Sequence, residues 1–212
     1  MEIKEKFQEH LWDLNAYDGK VYEPKEDTLF FLETLESDLP MIKSLNPATI
    51  LEIGSGSGLV ISSLSEVFRK SFCLAIDINP SACLATVNTS KLNKTSVNAV
   101  QGDLINGMVL KNLIDVLIIN LIYLPSKSQI LDDSTAKAWS GGMDGKAIIE
   151  RLLPQLNDLM SEKSVGYLLA ISNTSPRQIE KMLEGMGFTA GNIQIKTLTS
   201  LNYALIRFTK GI

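Results

Sequence analysis

A chain of 212 residues, 45% hydrophobic and 21% charged, is long enough for one domain with a sizeable core, taken here as residues 1–212 with an N-terminal helical extension over about 1–40. A formal net charge of -4 and a pI near 5.1 argue against nucleic acid as the principal partner, because neutralising phosphates takes clustered Lys and Arg. Two cysteines, Cys73 and Cys83, in or near apolar segments and without ligand spacing to the single His10, predict reduced thiols and no metal site.

The start of the chain is charged and does not resemble a secretory signal, and no apolar run is long enough to span a bilayer. The expectation is an intracellular protein with no membrane partner, cytoplasmic first and nuclear second. Ile3, Phe7, Leu11 and Leu14 stand at helical spacing and predict an amphipathic helix packed on the core. In Val21-Tyr-Glu-Pro-Lys-Glu-Asp-Thr28, Pro24 stiffens an extended approach to a helix marked by Leu29, Leu32, Leu35 and Leu39, with Asp27 or Thr28 as the candidate cap.

The stretch Thr49-Ile-Leu-Glu-Ile-Gly-Ser-Gly-Ser-Gly58 is the centre of the chain. Ile50, Leu51 and Ile53 read as a parallel strand buried on both faces. Gly54, Gly56 and Gly58 then let the backbone turn sharply into a helix carrying Val60, Leu64, Val67 and Phe68 on one face. A dinucleotide fingerprint would need glycine where Leu59 stands, and a phosphate-cradling loop would need a following lysine. The frame E-x-G-x-G-x-G, with Glu52 leading, resembles instead the S-adenosyl-L-methionine site of Rossmann-like methyltransferases, where an acidic lip suits the cofactor's cationic groups. A glycine turn that only permits tight packing also fits these residues.

The next strand, Ser71 to Asp77, ends in an acid followed by Ile78-Asn79-Pro80 and a helix from about Ala82 to Leu92. Two roles fit Asp77: acceptor for a ribose diol at the end of the second strand, or helix cap beside Pro80. Val97 to Asp103 predicts a third strand whose end brings Asp103 and the backbone of Leu104 to the same crevice, to receive an adenine amine or only to turn. Leu113 to Asn120 is apolar enough for a central strand and runs into Leu121-Ile-Tyr123. Trp139-Ser-Gly-Gly-Met-Asp-Gly145 predicts a loop over this face, before a helix from Lys146 that Pro154 kinks or divides. Tyr167 to Ile171, Ile193 to Thr197 and Leu201 to Phe208 complete the strands, the last two as a hairpin, with a helix from Arg177 to Met186. The expected fold is α/β, Rossmann-like, with seven strands, one of them antiparallel, and helices on both faces.

Asn120 and Tyr123 occupy the first and last places of the N-P-P-Y motif of methyltransferases acting on planar nitrogen, while Leu121 and Ile122 replace its prolines. Together with Tyr22 to Thr28, Glu52 to Gly58, Asp77 to Pro80, Asp103-Leu104, Trp139 to Gly142 with Gly145, and Arg207 to Lys210, the chain resembles the eukaryotic HemK-like family. These enzymes methylate the glutamine of the Gly-Gly-Gln loop in a class 1 translation termination factor. The resemblance implies cofactor contacts from Thr28, Glu52, Gly54, Gly56, Asp77, Asp103, Leu104 and Asn120, and substrate contacts from Asn120, Leu121, Tyr123 and Trp139, with Asn120 and Tyr123 catalytic. It also implies a heterodimer with a small zinc-binding activator subunit. Two alternatives accompany it: a catalytically impaired scaffold of that complex, and a protein (histone) lysine methyltransferase.

Overall fold

The computed structural model describes residues 7, 10–17, 19–121, 146–198 and 201–212. Four strands, β1 (Thr49–Ile53), β2 (Phe72–Asp77), β3 (Val97–Gln101) and β4 (Ile114–Ile119), run parallel. β5 (Met160–Ile171) joins β4 in parallel, and β7 (Leu201–Lys210) pairs antiparallel with both β5 and β6 (Thr189–Leu198). Among the described residues the sheet order is β3-β2-β1-β4-β5-β7-β6, the expected seven strands with β7 as the reversed one. β4 is central, which accounts for its continuous apolar character.

The period of two along each strand sorts neighbouring side chains to opposite faces. Leu51, Ile53, Leu117 and Ile119 pack with Leu152, Leu156 and Leu183, from helices α5 (Lys146–Leu152), α6 (Leu156–Leu159) and α7 (Pro176–Gly185). Ile50, Val116 and Ile118 pack with Phe31, Ile42 and Leu64, from α1 (Glu26–Ser37), α2 (Leu39–Leu45) and α3 (Leu59–Val67). Each fully buried Leu, Ile or Phe contributes about 1.5–3 kcal/mol, so both helical layers are held chiefly by this burial. Pro154 sits in a 3-10 turn, Leu153–Gln155, that divides α5 from α6.

Three local expectations are corrected. Residues 10–14 are not helical: Asn93, at the end of α4 (Pro80–Leu92), accepts from the Leu11 N–H at 2.8 Å and donates to the Leu11 carbonyl at 2.7 Å. That clasp satisfies the backbone groups a helix would have used and leaves the Leu11 side chain 61% exposed, while Phe7 is fully buried. The cap position of α1 is Lys25, without a side-chain bond, rather than Asp27 or Thr28. Asp27 instead accepts from the Tyr22 hydroxyl at 3.0 Å and the Thr28 N–H at 2.8 Å. The first long helix also stops at Asp38, so that Leu39 opens α2. Asp38 accepts there from the buried Tyr167 hydroxyl at 2.7 Å and from Arg207 at 2.9 Å, tying the helix junction to β5 and β7.

Candidate functional site

The chain winds outward from β1 through β2 to β3 and then returns to β4, so the strand order reverses between β1 and β4. Ligands of open α/β sheets bind at such a switch point, beyond the carboxyl ends of the strands. Gly54 follows β1 and Asn120 follows β4, and the Asn120 N–H donates to the Ile53 carbonyl at 3.2 Å. Gly54 has φ +79°, and a Cβ there would meet Leu121 Cδ2 at 2.7 Å and the Asn120 carbonyl oxygen at 3.0 Å. Only glycine lets the Asn120-Leu121 segment lie this close to the turn.

Here lies a cavity with about 680 Å³ of empty space, part of it open to solvent. Its wall brings together Gly54, Gly56, Asp77, Asp103, Leu104, Asn120 and Leu121 from the residues singled out in the sequence. Thr28 and Glu52 do not reach that wall. Thr28 is buried on the first turn of α1. Glu52 is buried beneath the glycine turn, where its Oε2 accepts from the Ile61 N–H at 3.1 Å and so anchors α3. Tyr123 and Trp139 lie outside the described residues. Tyr22, Asn79 and Ile148 also line the cavity and were not singled out as site residues. Tyr22 had a signal, because it opens the Tyr22 to Thr28 motif. Ile148 had none, because only packing carries α5 to the cavity.

The two roles open to Asp77 separate in the structure. Asn79 takes the cap, its Oδ1 accepting from the Ser81 N–H at 2.9 Å. Asp77 is 5% exposed at the end of β2, and its oxygens accept from the Gly56 and Asn79 N–H groups, each at 2.9 Å. Burial raises its pKa above the ordinary carboxylate value, while these backbone donors act in the opposite direction. Each oxygen retains acceptor capacity for a further donor, as a ribose diol would supply.

Burial pushes the Glu52 carboxyl well above the ordinary range, with the Asp77 charge adding to the rise and the Ile61 N–H opposing it. Its Oε1 has no partner among the described residues. A carboxyl whose pKa is higher folded than unfolded binds its proton more tightly in the native state. Its stabilising contribution is present below about pH 4.5 and is lost as pH rises through the raised value. Glu52→Gln keeps the acceptor for Ile61 without this loss. The thermal midpoint of the variant relative to wild type is therefore expected to climb as pH rises above that of an unfolded glutamate; a pH-independent difference would contradict the assignment.

The described lining holds two carboxylates, Asp77 and Asp103, and no Lys, Arg or His. Such a wall disfavours phosphates, which need cations or a nest of N–H donors. It fits S-adenosylmethionine, which has a diol and an exocyclic amine to donate, a cationic sulfur and no phosphate. The open space at Gly56, where a Cβ would meet nothing within 4 Å, agrees with a ligand lying across the turn. Among the described residues no group of three or more His, Cys, Asp or Glu is placed to hold a metal ion, and no helix is long and apolar enough to cross a membrane.

No protein-family model matches the chain. It is 30% identical to the human protein named Methyltransferase HEMK2 over 194 residues, covering 90% of each chain. It is 33% identical to the Schizosaccharomyces pombe eRF1 methyltransferase catalytic subunit mtq2, covering 79% of this chain and 80% of that one. Among solved structures, a chain of the E. cuniculi Mtq2-Trm112 complex superposes with a TM-score of 0.67 at 22% identity, covering 90% of this chain and 99% of that one. With its seven-stranded sheet, its glycine turn at the switch point and these relatives, the chain belongs to the HemK2/Mtq2-like family of release-factor glutamine methyltransferases.

Proposed function

We propose that this chain, paired with a small zinc-binding activator subunit, transfers a methyl group from S-adenosylmethionine to the glutamine side-chain nitrogen in the Gly-Gly-Gln loop of a class 1 termination factor. The observation that carries the reading is the position of Asn120: it follows the central strand, lines the cavity, and is held against the glycine turn through Ile53. Family membership supports the reaction class, and the relatives named for eRF1 support the substrate.

When bound, the cofactor supplies an electrophilic methyl group; the remaining work falls to the chain. An amide nitrogen is a poor nucleophile because its lone pair is delocalised into the carbonyl. The side-chain oxygen of Asn120 and the carbonyl of Leu121 are the two acceptors that would take the amide hydrogens, orienting the nitrogen and concentrating electron density on it. Tyr123 would position the planar group, and Trp139 would line the substrate's approach. Holding the reacting atoms in line accounts for several kcal/mol of barrier in comparable reactions.

The replacement of both motif prolines bears on rate. Leu121 and Ile122 keep the carbonyls but release the φ restriction that proline places on itself and on its predecessor. Restoring proline at both positions is expected to raise single-turnover methyl transfer by about tenfold, equivalent to about 1.4 kcal/mol of barrier, with cofactor affinity nearly unchanged. The same absent prolines are what favour the second reading, a scaffold that binds cofactor without turnover; no transfer by either form would support it. The direct test is labelled-methyl transfer to a termination-factor fragment carrying the Gly-Gly-Gln loop, with the activator present. Label in the glutamine supports the proposal. Label confined to lysine of a histone peptide, or none despite cofactor binding, refutes it.

A further inference from the structure

Within the cofactor reading above, on which this inference rests, we propose that Arg151 is a positioning residue for the purine end of the site. By holding one carboxylate oxygen of Asp103, it presents the other as the acceptor that selects a 6-amino purine over a 6-oxo purine.

Asp103 stands two residues beyond β3 and lines the cavity. Its Oδ2 accepts from the Arg151 guanidinium and, at 3.1 Å, from the Asn106 side-chain amide. Both donors converge on the same oxygen, which leaves Oδ1 as the acceptor without a partner among the described residues. Arg151 is carried by α5, and Ile148, three residues earlier on the same helical face, lines the same cavity. Buried Ile149 and Leu152 fix α5 against the core, so the guanidinium approaches from a supported helix rather than from a loose chain. The following residue, Leu104, has φ +56° with its side chain buried, which turns the backbone sharply at this point.

The chemistry follows from donor and acceptor counts. A carboxylate paired with a guanidinium only accepts, so it pairs with an exocyclic amine and repels a carbonyl at the same position. Without the guanidinium only the Asn106 amide holds Oδ2, and the half-exposed carboxylate turns more freely about its broad terminal torsion and presents either oxygen. With side chains 45% and 41% exposed, the Arg151–Asp103 pair adds little to the stability of the fold. Its consequence is therefore expected in ligand selection, and substitution there leaves the fold intact.

The test is calorimetric titration of the 212-residue chain with S-adenosylhomocysteine and S-inosylhomocysteine, which reads binding and requires no turnover. Wild type is expected to prefer the adenosyl ligand by about tenfold or more. Arg151→Ala should bring that preference to within about threefold at an unchanged thermal midpoint, and Arg151→Lys should recover part of it. Should Arg151→Ala lower the midpoint, Arg151→Gln carries the same comparison. A wild-type preference retained by the Ala or Gln variant overturns the role of Arg151 and leaves the cofactor reading standing. A wild-type chain that binds neither ligand overturns both.

Discussion

Replacing Gly58 by alanine is expected to lower unfolding stability by about 3 kcal/mol and the thermal midpoint by about 6–12 °C. Gly58 is the cap residue of α3 with φ +76°, a conformation that costs an L-residue about 1–2 kcal/mol. The new Cβ would also lie 2.4 Å from the Cα of Thr86, and backbone on α4 cannot swing aside as a side-chain tip can. Separating α3 from α4 would pull at the Ser55–Thr86 hydroxyl contact of 2.9 Å and at the Gly56 N–H bond to Asp77, so cofactor affinity should fall along with stability. Thermal denaturation and ligand titration of the same variant check both effects. A midpoint within about 2 °C of wild type would show that the two helices tolerate separation.

The other large effect is expected at Asn120. Asn120→Ala should reduce methyl transfer by about 10²–10³-fold, the range found when one preorganised hydrogen-bonding group is removed from an active site. Cofactor affinity should change little by comparison. The backbone bond from Asn120 to Ile53 survives the substitution, and the Asp77 and Asp103 end of the cavity is untouched. Single-turnover label incorporation at saturating cofactor measures the chemical step. Loss of affinity with an unchanged saturated rate would make Asn120 a cofactor contact only and remove it from the amide-orienting role.

The elements that position these residues could be read in the sequence because their causes are local. Strand β1, the glycine turn and α3 each follow from contiguous apolar runs and from residues without a Cβ, and the hairpin of β6 and β7 follows from adjacent strands. Where local periodicity competed with a distant partner, the partner prevailed. Leu11 and Leu14 keep a helical spacing, yet Asn93, 82 residues from Leu11, takes the Leu11 backbone groups. Asp77 read as either ribose acceptor or helix cap, and only the Gly56 N–H, 21 residues away, and the cap taken by Asn79 show that it is spent on the turn.

The sequence by itself determined the α/β class, the switch-point turn and the line of acidic and amide residues from Asp77 to Asn120, since residues at strand ends face one crevice in any parallel sheet. Tertiary structure alone decided which side chains complete that crevice. Glu52 points to the α3 side, where burial raises its pKa and the Ile61 N–H holds its Oε2. Tyr22 and Ile148 arrive from segments remote in the chain, because packing α1 and α5 on opposite faces of the sheet is what brings their neighbourhoods to its carboxyl edge, and α5 also carries Arg151 to Asp103. Such convergence depends on distances across the core, which no local pattern of residues encodes.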